Sequence, residues 1–100
     1  MSDTLAHLWG IIENRRLYPK EGSYTVSLFR KGVGEIAKKV GEEAVEVVVA
    51  ALHESDERLV YETADLVYHV MVLLSAQGLS WEDVEAELRR RFDMGREELP

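Results

Sequence analysis

The sequence has no cysteine, two prolines and few basic residues. Without cysteine there is no disulfide framework, no thiolate zinc site and no cysteine nucleophile. Twelve Lys+Arg stand against 19 Asp+Glu, a formal net charge of −7. That balance argues against a broad nucleic-acid-binding surface, because neutralising phosphates takes surplus Lys and Arg. No run reaches the ~18 continuous apolar residues of a membrane span. Met1-Ser2-Asp3-Thr4 lacks the basic start and apolar stretch of a secretory signal, so the expected location is the cytoplasm, with neither nucleic acid nor membrane as partner. Alternating strand patterns with hairpin turns are nearly absent. Neither Gly-x-x-x-x-Gly-Lys-Ser/Thr nor Gly-x-Gly-x-x-Gly occurs, so any phosphate would have to be held by metal and by Lys or Arg. What remains, 46% hydrophobic and 31% charged in 100 residues, is too apolar for a disordered chain and of a size for one domain.

Helix punctuation is plentiful. A first helix is expected from about Asp3 to Arg16, with Leu5, Leu8, Trp9 and Ile12 on one face. Ser23 can cap a short second helix, Tyr24 to Lys31, closed by Gly32. A third runs from near Val33 to about His53, with Val33, Ile36, Ala37, Val40, Ala44, Val47, Val48 and Ala51 as its apolar stripe. Gly41 inside it costs ~1 kcal/mol relative to Ala and marks a break or a close approach. Ser55 or Asp56 caps a fourth helix ending at Gln77, with Gly78 as its stop. Ser80-Trp81-Glu82-Asp83 resembles a capping box and opens a fifth helix through about Phe92. Short connections between long helices predict an all-α, antiparallel bundle of about five helices, one domain over residues 1–92 with a loose tail over 93–100.

The fourth helix breaks its own pattern. From Leu59 to Ala76, only Glu62, Thr63, Asp65, His69 and Ser75 interrupt the apolar residues. A helix apolar nearly all round must be buried on nearly all sides, which a small monomer achieves with difficulty and a partner subunit would supply. Glu62, Asp65 and His69 fall within ~60° of one another on a helical wheel, with Arg58 on the same face one turn earlier. On the third helix, Glu43 and Glu46 lie three residues apart, with Lys39 one turn before Glu43. The turn near Ser55 would make the two helices antiparallel neighbours and bring the pairs together. Four converging carboxylates repel unless a cation sits among them, and oxygen-only ligands favour Mg²⁺ or Mn²⁺. The residues therefore point to metal-dependent hydrolysis of a polyphosphate. Bland readings stand beside this one. A lone Glu-x-x-Glu is ordinarily a solvated face. Glu62 and Asp65 could serve a salt-bridge network with Arg58 or Lys39. His69 reads first as a hydrogen-bonded core histidine, Tyr61 and Tyr68 as packing residues, Lys38 and Lys39 as surface charges. A di-iron carboxylate bundle is rejected, because it needs Glu-x-x-His at i, i+3 on two helices.

Two blocks carry a family resemblance. Ser23-Tyr24-Thr25, Lys31-Gly32 and Lys39-Val40-Gly41-Glu42-Glu43-Ala44-Val45-Glu46 form the first. Glu62-Thr63-Ala64-Asp65-Leu66-Val67-Tyr68-His69, Val72-Leu73-Leu74 and Gly78-Leu79-Ser80 form the second. Together they resemble the phosphoribosyl-ATP pyrophosphohydrolases of histidine biosynthesis, within the wider MazG-like superfamily, over roughly Leu5 to Phe92. The resemblance implies an intertwined all-α homodimer and Mg²⁺-dependent cleavage of phosphoribosyl-ATP to phosphoribosyl-AMP and pyrophosphate. It matches Glu43, Glu46, Glu62 and Asp65 to metal-binding, catalytic carboxylates. Glu42 beside them would orient the attacking water or bind a second ion, and Glu46 or Glu42 would take its proton. Lys31 and Lys39 are candidates for phosphate contact, Ser23 and Tyr24 for polar contacts to substrate. No cyclohydrolase domain of the kind fused in some homologues is present, so a monofunctional enzyme is expected. The rivals are a pyrophosphohydrolase of the nucleoside triphosphate pool and a non-catalytic dimeric helical module.

Overall fold

The computed structural model describes residues 2–93; of the tail expected over 93–100, Asp93 is instead the last residue of a helix, and 94–100 lie outside the described residues. Five helices follow in order: α1 (Asp3–Leu17), α2 (Tyr24–Lys31), α3 (Val33–His53), α4 (Asp56–Ala76) and α5 (Trp81–Asp93). No strand occurs among the described residues. The fold is all-α, as expected.

Local chemistry sets the helix ends. The hydroxyl of Ser23 accepts from the Val26 N–H at 3.2 Å, and that of Ser55 from the Arg58 N–H at 3.2 Å, each satisfying one of the orphan donors of a first turn. Gly32 adopts φ 92°, a conformation open to glycine, and its N–H bonds back to Leu28 and Phe29, ending α2 before α3 starts. After α4, Gly78 at φ 77° donates to Ser75 O while Leu79 donates to Leu74 O, a pair of reversed bonds that closes the helix. The capping box at α5 is reciprocal: Ser80 N–H reaches the Asp83 carboxylate at 2.9 Å, and Asp83 N–H the Ser80 hydroxyl at 3.2 Å.

The dominant packing unit is the α3/α4 hairpin, two 21-residue helices turned by Glu54 and Ser55. At ~1.5 Å per residue each helix is ~32 Å long. α1 and α2 lie against this hairpin, where Ile12, Leu28, Ile36, Met71 and Val72 form the buried cluster. Leu5, Leu8 and Trp9 pack against it, so the apolar face expected of α1 is the face it buries. Trp81 is the point at which α5 joins the core; no residue of α5 is fully buried.

Two expectations need correction. Gly41 does not break α3: the helix is continuous, and among the described residues nothing lies within 4 Å of where its Cβ would be. The buried stripe of α3 also differs from the one expected. Ile36, Val40, Glu43, Val47 and Ala50 turn inward, whereas Val33, Ala37, Ala44, Val48 and Ala51 are exposed. The inward set alternates steps of four and three, the seam of a helix packed along a partner helix. α3 is apolar on two sides, and periodicity alone does not say which side meets α4.

α4 is likewise less enclosed than its composition implies. Its inward residues Glu62, His69, Met71, Val72 and Ser75 are buried, but Val60 and Tyr61 stay 70% and 57% exposed within this chain. By length and composition α4 would also qualify as a membrane span. Its buried Glu62 and His69 instead take protein partners, Arg58 for the first and Tyr24 for the second.

Candidate active site

The hairpin brings acidic residues to its own seam. Glu43 lies eleven residues before Glu54, and Asp65 ten residues after Ser55, so an antiparallel pair sets them at the same level. Both helices thus place carboxylates where a packed seam would otherwise take aliphatic side chains. Glu43, Glu62 and Asp65 each offer one carboxylate oxygen to a group whose atoms all lie within 4.8 Å of one another. Glu43 and Glu62 are buried, at 9% and 5% exposure, and Asp65 is half-buried.

Burial and repulsion act together on Glu62. Loss of solvent raises its pKa, the Arg58 guanidinium opposes, and the charges of Glu46, Asp65 and Glu43 push it up further. A carboxylate in this position is short of positive charge. Two cations supply part of it. Arg58 Nη2 sits 3.1 Å from Glu62, with its guanidinium 4.6 Å from the Tyr61 ring centroid. Lys39 Nζ sits 3.4 Å from Glu43 and 3.8 Å from Glu42. Burial works against the Lys39 ammonium but is outweighed by Tyr24, Glu43 and Glu42, and its pKa is raised. The salt-bridge network considered for these residues is therefore real. It does not complete the site: five carboxylates (Glu42, Glu43, Glu46, Glu62, Asp65) face two cations, a remainder of −3.

The other expected residues divide. Glu46 is exposed and stands outside the group of three, on the rim, yet close enough to act on Glu62. Glu42 is exposed and paired with Lys39. Ser23 serves as the α2 cap. Lys31 is exposed at the far end of α2, ~10 Å along the helix from Tyr24, and has no ion pair among the described residues.

Tyr24 is tied to the acidic helix. Its hydroxyl lies 3.2 Å from His69 Nε2, and His69 Nδ1 lies 2.7 Å from the Asp65 carbonyl oxygen. Thr25, next along α2, bonds through its hydroxyl to that of Tyr68. The Tyr68 and His69 rings meet edge-on with centroids 4.9 Å apart. Residue spacing did not reveal this layer, because its partners are more than 40 positions apart. The adjacent polar run Ser23-Tyr24-Thr25 was its only local signal.

Chemically, hard oxygen donors from two helices, a buried carboxylate crowded by like charge and an adjacent ammonium suit a small divalent cation and the phosphate anions that travel with it. Fold and site together define an all-α protein with carboxylates gathered on one helix hairpin. A family model described as phosphoribosyl-ATP pyrophosphohydrolase matches residues 5–92, and the chain belongs to that family. It is 59% identical over 92 residues to the phosphoribosyl-ATP pyrophosphatase of Metallosphaera sedula, covering 92% of this chain and 99% of that one. It is 54% identical over 87 residues to the protein of the same name from Limosilactobacillus fermentum, covering 87% and 82%. A histidine biosynthesis bifunctional protein, HisIE, of Caldanaerobacter subterraneus subsp. tengcongensis is 48% identical over 90 residues, which make up 90% of this chain and 44% of that protein. The resemblance read from the two acidic blocks is borne out.

Proposed function

We propose that this enzyme hydrolyses phosphoribosyl-ATP to phosphoribosyl-AMP and pyrophosphate, a step of histidine biosynthesis, with Mg²⁺ as its working cation and Mn²⁺ as a substitute. The observation that carries this reading is the convergence of Glu43, Glu62 and Asp65 at one level of the α3/α4 seam, in a chain matched by the family model over residues 5–92. These three carboxylates would hold the cation. When bound, it supplies the positive charge that lets an anionic polyphosphate approach and makes a water acidic enough to attack phosphorus. The chain's own residues do the rest. Lys39, 3.4 Å from Glu43, would stabilise the charge that develops on the departing pyrophosphate. Glu46, on the rim and exposed, would accept a proton from the attacking water.

We further infer that two copies associate. Val45, Val48, Val49 and Leu52 form an exposed stripe on α3, at 59%, 55%, 36% and 70%, and Val60 and Tyr61 are exposed on α4. An apolar stripe exposed along one helix face marks an interaction surface. Its self-complementary position on one hairpin suits a symmetric homodimer. Cytoplasmic location fits the same reading.

The test is a pyrophosphate-release assay with phosphoribosyl-ATP and a panel of nucleoside triphosphates, each with Mg²⁺ and with a chelator. Turnover of phosphoribosyl-ATP well above the panel, abolished by chelation, is expected. Equal turnover of the panel assigns the enzyme to the nucleotide pool, and activity that survives chelation removes the metal.

A further inference from the structure

Arg58 stands where helix physics does not favour a cation. It is the third residue of α4, after Asp56 and Glu57. That end of a helix carries the positive pole of the dipole, which suits the two acids and opposes the arginine. Arg58 also precedes Glu62 by four residues, the weaker order for an ion pair along a helix. Its guanidinium nevertheless turns to the acidic seam, with Nη2 3.1 Å from Glu62 Oε2. Among the described residues it is the cation paired with Glu62; Lys39 pairs with Glu43 and Glu42 instead. The position therefore answers Glu62 rather than the helix.

Glu62 is 5% exposed, and a carboxylate so enclosed needs a positive partner. It also gives one oxygen to the group it forms with Glu43 and Asp65. One carboxylate thus serves two claimants. A divalent ion sits about 2.1 Å from its carboxylate oxygen, so an ion on Glu62 and this guanidinium would be about 5 Å apart. Charges of +2 and +1 at that separation repel enough to cost roughly tenfold in ion affinity even at the dielectric of water. The guanidinium has other contacts to fall back on. Its central carbon lies 4.6 Å from the Tyr61 ring centroid, and Nε lies 3.8 Å from Glu54. Giving up Glu62 leaves it on an aromatic face and beside a second carboxylate, at the edge of the site.

We propose that Arg58 is a built-in counter-ion of the acidic site: it neutralises Glu62 until a divalent cation binds, gives way to that cation, and so weakens the protein's affinity for it. This inference rests on the proposed cation at Glu43, Glu62 and Asp65 and adds a competitor for it.

The probe is Mn²⁺, titrated into the whole protein without substrate, with free ion counted by electron paramagnetic resonance. Arg58→Gln removes the charge and keeps an amide donor; it is expected to tighten Mn²⁺ binding about tenfold. Arg58→Ala should tighten it similarly, and Arg58→Lys, which keeps the charge, should stay within about twofold of wild type. The side chain is half exposed, so all three substitutions are compatible with the fold. Melting temperature in chelator should fall in Arg58→Gln, and its rise on adding Mn²⁺ should exceed that of wild type. Binding in Arg58→Gln that is equal to wild type overturns the competition. Weaker binding overturns it too, and recasts Arg58 as a residue that orients Glu62 for the ion. A further check needs no substitution in the protein measured: the Nε–H signal of Arg58 in nitrogen-15 NMR should move as Mg²⁺ is added, and a signal unmoved at saturation overturns the displacement. A wild-type protein that binds no Mn²⁺ overturns the underlying metal reading instead, so the two failures are told apart.

Discussion

The two halves of α4 share one seam and fill it differently. From Tyr68 onward the inward residues are His69, Met71, Val72 and Ser75, all buried, and Ile12 of α1 and Leu28 of α2 close over Met71 and Val72. Before Tyr68 the inward positions hold Glu62 and Asp65, facing Glu43, while Val60 and Tyr61 beside them lie open in the single chain. Helix geometry is the same throughout; only the occupants and the cover change. Packing at one end holds the hairpin in register, and that register lets like charges meet at the other end, a place where hydrophobic burial would never choose them. The half that stabilises and the half that reacts are thus separable by substitution.

The largest break in this contrast is Met71→Ala. Met71 is completely buried, so truncation removes its transfer free energy and leaves a cavity, an expected loss of about 2–5 kcal/mol in urea-induced unfolding. Val60→Ala, made in the same helix on an exposed side chain, serves as the comparison. In an isolated chain it should change stability by no more than about 0.5 kcal/mol. A loss near that of Met71→Ala, growing with protein dilution, would mean that a second copy covers the open half. Equal, dilution-independent losses would erase the contrast.

Next comes Glu62→Gln, which removes a buried charge without changing shape. Turnover is expected to fall about a hundredfold or more, the order found when a preorganised electrostatic group is lost. Thermal stability in chelator should hold or rise, because the carboxylate is crowded by Glu46, Asp65 and Glu43. Retained turnover would remove Glu62 from the chemistry. A stability collapse would recast it as structural, the ion-pair partner of Arg58.

How much of this was legible in the sequence follows the range of each interaction. Helix ends were legible because caps are local: Ser23, Gly32, Ser55, Gly78 and the Ser80–Asp83 box each act within a few residues. Glu43, Glu62 and Asp65 were legible as a set, since a short turn between equal helices fixes their level. Glu46 was read into the same set from its i, i+3 spacing to Glu43. A three-residue step falls roughly 60° short of a full turn, which here carries Glu46 from the seam to the rim, a difference that spacing does not resolve. The inward stripe of α3 was misread because both stripes are apolar and the sequence does not name the partner of either. The link from Tyr24 to His69 joins positions 45 apart in sequence, and only the fold makes them neighbours.

The smallest effect separates the two halves by the sign of a titration. Glu13 of α1 meets the packed half: it accepts from the Ser75 hydroxyl at 2.5 Å and pairs with Arg16 at 2.6 Å. The Arg16 hydrogen bond lowers its pKa, burial opposes, and Ser75 and the Arg16 charge lower it further. Its folded pKa therefore lies below the unfolded one, opposite in sense to Glu62. A depressed carboxyl contributes stability that is complete above the ordinary glutamate range and is lost as pH falls through the folded value. Melting temperature followed downward from neutral pH should begin to fall as the ordinary glutamate range is crossed, and Glu13→Gln should flatten part of that fall while lowering the plateau slightly. Ser75→Ala should do the same more weakly, because it leaves the Arg16 bond in place. An acid slope identical in wild type and Glu13→Gln would show that the Ser75–Glu13–Arg16 chain adds no pH-dependent stability, and that the packed half of α4 is held by its apolar contacts alone.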